Sequence, residues 1–166
     1  SVTFGNAGDY TLRLWADDGV ARSFDDLSFN YSGGTDTPFQ SWQAANFAGG
    51  SANPDAAPNA DPDGDGLNNA GEYAFNTNPN SANAHPVAPS IATNGPDQFL
   101  RVTIPKNPLA TDALITVEAS PEVEPASWSA AGLIVETNTP TLLQVRDNVP
   151  LSTALRRFLR VRVTLN

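Results

Sequence analysis

The chain has 166 residues, 40% of them apolar and 16% charged, with a formal net charge of −9. That is enough for one ordinary domain or a few small ones, and the many Asn, Ala, Pro and Thr residues suit β-structure joined by polar turns. No cysteine is present, which excludes disulfides and thiolate metal sites, and no 18-residue apolar run exists to span a membrane.

The charge is unevenly spread. Residues 1–97 carry twelve acidic and two basic side chains, while residues 98–166 carry six and seven. An acidic front half excludes a nucleic-acid partner, which needs a basic surface, and favours divalent cations. The absence of Met and a strand-like start at Ser1 read as an excised piece of a longer precursor that carried the export signal.

Residues 1–31 read as β-strands. Tyr10, Leu12, Leu14 and Ala16 recur with a period of two, as do Leu27, Phe29 and Tyr31. Asp17-Asp18-Gly19 signals a tight turn between them. Val2 to Phe4 adds a short third strand. The segment from Ala7-Gly8-Asp9-Tyr10-Thr11-Leu12 to Asp17-Asp18-Gly19 resembles the last strands of a PKD-type, immunoglobulin-like bacterial domain, whose earlier strands this chain lacks. Residues 32–37 form a linker containing Ser32-Gly33-Gly34-Thr35.

Thr37 then serves as an N-cap and Pro38 as the first residue of a short helix. Phe39 and Trp42 share a face of that helix, which runs to about Phe47 and stops at Gly49-Gly50. Residues 51–60 are a Pro/Ala/Asn loop. A second short helix spans Leu67 to Phe75 and stops before Asn78-Pro79. Residues 81–97 read as a second, polar linker. From residue 98 the alternation returns, with strands at 98–104, 113–119, 133–136, 142–146 and 158–165. Five strands without an intervening helix predict a small antiparallel β-sandwich over 98–166. The fold class expected is therefore mainly β, with a helical insert over 38–80.

That insert contains the most specific motif. Residues 61–72 read Asp-Pro-Asp-Gly-Asp-Gly-Leu-Asn-Asn-Ala-Gly-Glu and satisfy D-x-[DN]-x-[DN]-G-x₅-E at every fixed position. Calcium is a hard cation that takes about 6–8 oxygen ligands. Asp61, Asp63 and Asp65 alternate so that three carboxylates converge, and Gly66 permits the sharp turn. The Leu67 carbonyl, Asn69 directly or through water, and a bidentate Glu72 complete the set. Without a cation, three aspartates in five residues would repel one another. Asn68 stands where an EF-hand carries an aliphatic residue, with Leu67 taking the packing role, and the loop has no second copy. Asp55 and Asn59 are weaker candidates for a second ion.

The loop, with Glu72-Tyr73-Ala74 after it and Phe39-Gln40-Ser41-Trp42 before it, resembles the thrombospondin type 3 repeat-like segment of secreted proteins from Verrucomicrobia-type bacteria. In these a short β-domain follows, like that around Ile115–Ser120, Trp128 and Arg157–Val163 here. The resemblance implies calcium as the bound cofactor and a secreted or cell-surface setting, and lends no enzymatic activity.

Other constellations are weak. His85, the only histidine, precedes Pro86 in the expected linker and has no partner for base catalysis. Asp17/Asp18 and Asp25/Asp26 are adjacent in strands or turns, so their carboxylates diverge and do not form a glycosidase pair. Trp15, Trp42 and Trp128 are candidates for a carbohydrate-stacking surface, with Trp42 better explained as core. Asn30-Tyr31-Ser32 fits a glycosylation acceptor. The expected role is a calcium-stabilised extracellular module that assembles with other copies of itself through its N-terminal strands into a fibre, surface layer or adhesin. The alternative is a non-catalytic, carbohydrate-binding or export region of a secreted hydrolase.

Overall fold

A computed structural model describes residues 8–17, 19, 22–31 and 36–166, in two compact units that divide at Asp36/Thr37. The expected strand at Val2–Phe4, the linker at Ser32–Thr35, Asp18 and the Ser32 end of the glycosylation motif lie outside the described residues. Among the described residues, no helix is long and apolar enough to cross a membrane.

The first unit is a β-hairpin. Strands β1 (Gly8–Asp17) and β2 (Arg22–Tyr31) pair antiparallel over their full length. Residues opposite one another share a face, so the register gathers Leu12, Leu27 and Leu14 on one side, with Asp25 opposite Leu14. The other side carries Arg13 and Asp26, joined by two hydrogen bonds of 2.6 Å. There Trp15 leans on Phe24 at 5.3 Å, and the Arg13 guanidinium lies 4.1 Å over the Phe24 ring. Asp25 and Asp26 thus point to opposite faces, as strand alternation requires.

The second unit begins with helix α1 (Pro38–Asn46). Thr37 accepts from the Gln40 N–H while the Gln40 side chain accepts from the Thr37 N–H, a complete capping box. Two single 3₁₀ turns follow, Gly50–Ala52 and Pro54–Ala56, where a plain loop was expected. Helix α2 (Asn69–Phe75) starts two residues later than expected because Asn68 caps it, accepting from the Gly71 N–H at 3.0 Å.

Six strands complete the unit: β3 (Ala88–Asn94), β4 (Asp97–Pro105), β5 (Ala113–Ser120), β6 (Leu133–Asn138), β7 (Leu142–Asp147) and β8 (Phe158–Leu165). One sheet has the order β3-β4-β7-β6 and the other holds only β5 and β8, all antiparallel. The fold is mainly β and sandwich-like. Strand β3 corrects the linker expected at 81–97. Ile91 is its one large apolar residue and Pro89 interrupts it, a composition tolerated because β3 is an edge strand.

Residues 38–80 and 98–166, expected as separate domains, share one core. Leu67, Ala74 and Phe75 of the insert pack in a single cluster with Val102, Ile104, Val117, Leu143 and Val145 of the sheets. Asp112 fastens the joint. It accepts from the Tyr73 hydroxyl at 2.5 Å and from the Phe39 N–H at 3.1 Å, tying both helices to the start of β5.

At the far end of the sheets Asp147, 1% exposed, receives Arg157 through two bonds of 2.6 and 2.7 Å. Asp147→Ala strands the arginine and is expected to cost about 3–5 kcal/mol, the usual range for breaking a buried pair. Urea unfolding checks it.

Candidate metal centre

The loop wraps around its own carboxylates. The carboxylate oxygens of Asp61, Asp63 and Asp65 come within 4.8 Å of one another. Backbone N–H groups hold each in place: Gly64 and Gly66 donate to Asp61, Asp65 donates to Asp63, and Leu67 donates to Asp65. Gly66 sits at φ 92°, a left-handed conformation that a side chain would strain. Its expected role in turning the chain is what the backbone does.

Asn69 and Glu72 lie on α2 and are fully buried, and the Glu72 carboxylate is not one of the three that lie within 4.8 Å of one another. The Asn69 amide nitrogen donates to the carbonyls of Asp55 at 2.7 Å and Ala57 at 2.8 Å. Two carbonyl acceptors fix which end of the amide is nitrogen, so Oδ1 faces away from them. Gln43 of α1 braces the same segment, donating to the Ala56 carbonyl at 2.7 Å. The loop at 51–60, where the sequence offers Asp55 and Asn59 as weaker candidates for a second ion, is the scaffold that orients Asn69.

Three buried oxygens here have no hydrogen-bond partner: Asp63 Oδ2, Asn69 Oδ1 and Glu72 Oε2. Buried polar atoms are almost always paired, so three orphans in one loop call for an explanation. They belong to the third, ninth and twelfth positions of the calcium pattern. Every donor is an oxygen, which suits a hard cation and not the nitrogen and sulfur preference of zinc.

The electrostatics agree. Burial, with the negative charges of Asp63, Asp65 and Asp61, pushes the Glu72 carboxyl up to about 7, against a lowering bond from Thr77. Asp65 moves the other way, held below its ordinary value by the N–H groups of Asn83 and Leu67. The Asn83 bond, 2.9 Å long, was not legible in the sequence, since residue 83 lies in the expected linker.

Leu67 contributes differently from the other five positions. Its side chain is in the core, as expected from the departure at Asn68. Glu72 offers one free oxygen, because Oε1 accepts from the Thr77 hydroxyl at 3.3 Å. Asp55 and Asn59 are exposed, and the described part of Asp55 that serves the site is its backbone carbonyl. His85 is exposed, with Nδ1 accepting from the Val87 N–H at 3.3 Å. Trp42 packs among Phe39, Phe47 and Tyr73, and Trp128 lies under the Arg160 guanidinium at 4.4 Å. Both indoles thus have intramolecular partners.

Comparison with family models, curated proteins and solved structures returned no match. The thrombospondin type 3 likeness therefore rests on the amino-acid sequence alone.

Proposed function

We propose that residues 61–72 hold one calcium ion and that the chain is an extracellular structural module, rigidified by that ion and built to associate with copies of itself. The observation that carries the calcium reading is the set of three unpartnered buried oxygens at Asp63, Asn69 and Glu72. A divalent cation among them would satisfy all three and offset the repulsion of the surrounding carboxylates. The role is mechanical: the loop joins α1, the 51–60 segment and α2, and α2 enters the common core, so the ion would lock the helical insert to the sheets. The acidic, disulfide-free chain fits a setting where millimolar calcium supplies the cross-link that cysteines otherwise would.

Isothermal titration of the calcium-stripped chain is expected to give one site. Asp63→Ala with Asp65→Ala should abolish it while leaving the hairpin unit untouched. A wild-type chain that takes up no calcium at millimolar concentration would sink the reading.

A further inference from the structure

The twelve-residue loop does not fix all of its own ligands. Both oxygens of Asp61 are held from inside it, by the Gly64 N–H at 2.9 Å and the Gly66 N–H at 3.0 Å. Asp65 differs. Its Oδ1 accepts from the Leu67 N–H inside the loop, but its Oδ2 accepts from the N–H of Asn83, each at 2.9 Å. Glu72 is also held from outside, where Thr77 donates its hydroxyl to Oε1 at 3.3 Å. Two candidate ligands thus lean on residues 76–87, the connection from α2 to β3.

The near part of that connection is anchored. Pro79 is fully buried, and the Asn80 side chain donates to the Asn46 carbonyl at 3.1 Å. The far part is not. Residues 81–85 read Ser-Ala-Asn-Ala-His and are all exposed. They carry no apolar side chain larger than Ala, so burial contributes little to their order. The Asn83 side chain donates only to the carbonyls of Asn78 and Ser81, and His85 accepts from Val87, all within the same connection. Among the described residues, the Asn83–Asp65 bond is the one hydrogen bond that ties 81–85 to the rest of the fold.

Each side of this bond supports the other. A carboxylate held at both oxygens keeps one orientation, and Asp65 needs that orientation to share an ion with Asp61 and Asp63. Without an ion the three carboxylates repel one another, and the tether on Asp65 Oδ2 is a segment with no burial of its own. We propose that Asn83 is a positioning residue of the candidate calcium site, and that residues 81–85 form a strap that closes on Asp65 when calcium binds and opens when it leaves. This rests on the calcium reading above and adds regulation to it. The coupling is reciprocal: the factor by which the closed strap raises calcium affinity is the factor by which calcium raises the closed population. An open strap is an exposed polar stretch of the kind proteases nick, so the ion also governs cleavage between α2 and β3.

The full chain tests this. In the wild type, calcium is expected to slow hydrogen exchange of the Asn83 amide by about tenfold or more, while the β7 amides stay protected with or without it. A protease of broad specificity should cut within 81–85 in chelator and not in calcium. Asn83→Pro removes the N–H, and should weaken calcium binding by about tenfold and leave the strap cleavable in saturating calcium. Asn83→Ala keeps the N–H and should bind calcium like the wild type. Protected β7 amides report that each variant is folded; should the proline variant fail to fold, exchange and cleavage of the wild type decide alone. A wild type that binds calcium with no change at the Asn83 amide or in cleavage overturns the strap. So does a folded proline variant of unaltered calcium affinity, or an alanine variant that loses as much as the proline one. Each of these leaves the calcium reading standing, whereas a wild type that takes up no calcium overturns both.

Discussion

Stripping calcium with a strong chelator is expected to lower the melting temperature of the chain by about 10 °C or more. A ligand that binds only the native state adds about 4 kcal/mol at a thousandfold excess over Kd, and each kcal/mol moves a domain of this size by about 2–8 °C. The effect should be large because the ion would offset the repulsion of clustered carboxylates and satisfy three buried oxygens. Asp61, Asp63 and Asp65 lie on the loop, Asn69 and Glu72 on α2, and Asp55 and Ala57 hold Asn69 from the preceding turns. Calorimetry with and without chelator is the measurement. Asp63→Ala with Asp65→Ala should reproduce the chelated curve in the presence of calcium. Identical curves for stripped and loaded wild type would remove the metal from the account of stability.

The second large effect is a pH dependence that reverses sign with the metal. In the metal-free chain the Glu72 carboxyl titrates near 7, above its ordinary 4.5, chiefly through burial and then through the charges of Asp63 and Asp65. The folded state therefore holds this proton more tightly than the unfolded state between those values. The Glu72 contribution to stability is full below about pH 4.5 and is lost as pH rises through the folded value near 7. Asp65 does not blur this window, since its carboxyl is held low and stays charged throughout. Calcium needs Glu72 ionised, so below pH 7 it must displace a proton, and its affinity should fall by up to about tenfold per pH unit. Melting of the chelated chain from pH 4.5 to 8 and titrations in buffers of different ionisation enthalpy read the two arms. Glu72→Gln should flatten the first and weaken calcium binding at every pH. A stripped chain whose melting temperature rises across that window would contradict the assignment of Glu72.

Local chemistry was legible in the sequence wherever it depends on neighbours along the chain. Thr37 and Pro38 specify a helix start because a cap and a first helical residue are chain neighbours, and the structure adds Gln40 as the partner that completes the capping box. The alternating aspartates converge because a Gly-rich turn brings positions two apart onto one centre. The strands of the hairpin and of β8 followed from a period of two. Tertiary structure decided the rest, because the partners are distant in sequence. Edge strand β3, poor in apolar residues and interrupted by Pro89, exists because β4 supplies its hydrogen bonds. Asn69 faces the candidate site because the carbonyls of Asp55 and Ala57 claim its amide nitrogen, and Asp65 is anchored by Asn83, eighteen residues away. The insert and the sheets form one body because Leu67, Ala74 and Phe75 bury their apolar surface against Val102, Val117 and Val145. Hydrophobic burial carries no address along the chain, so no motif announced that shared core or the two strands by which the smaller sheet falls short of the larger.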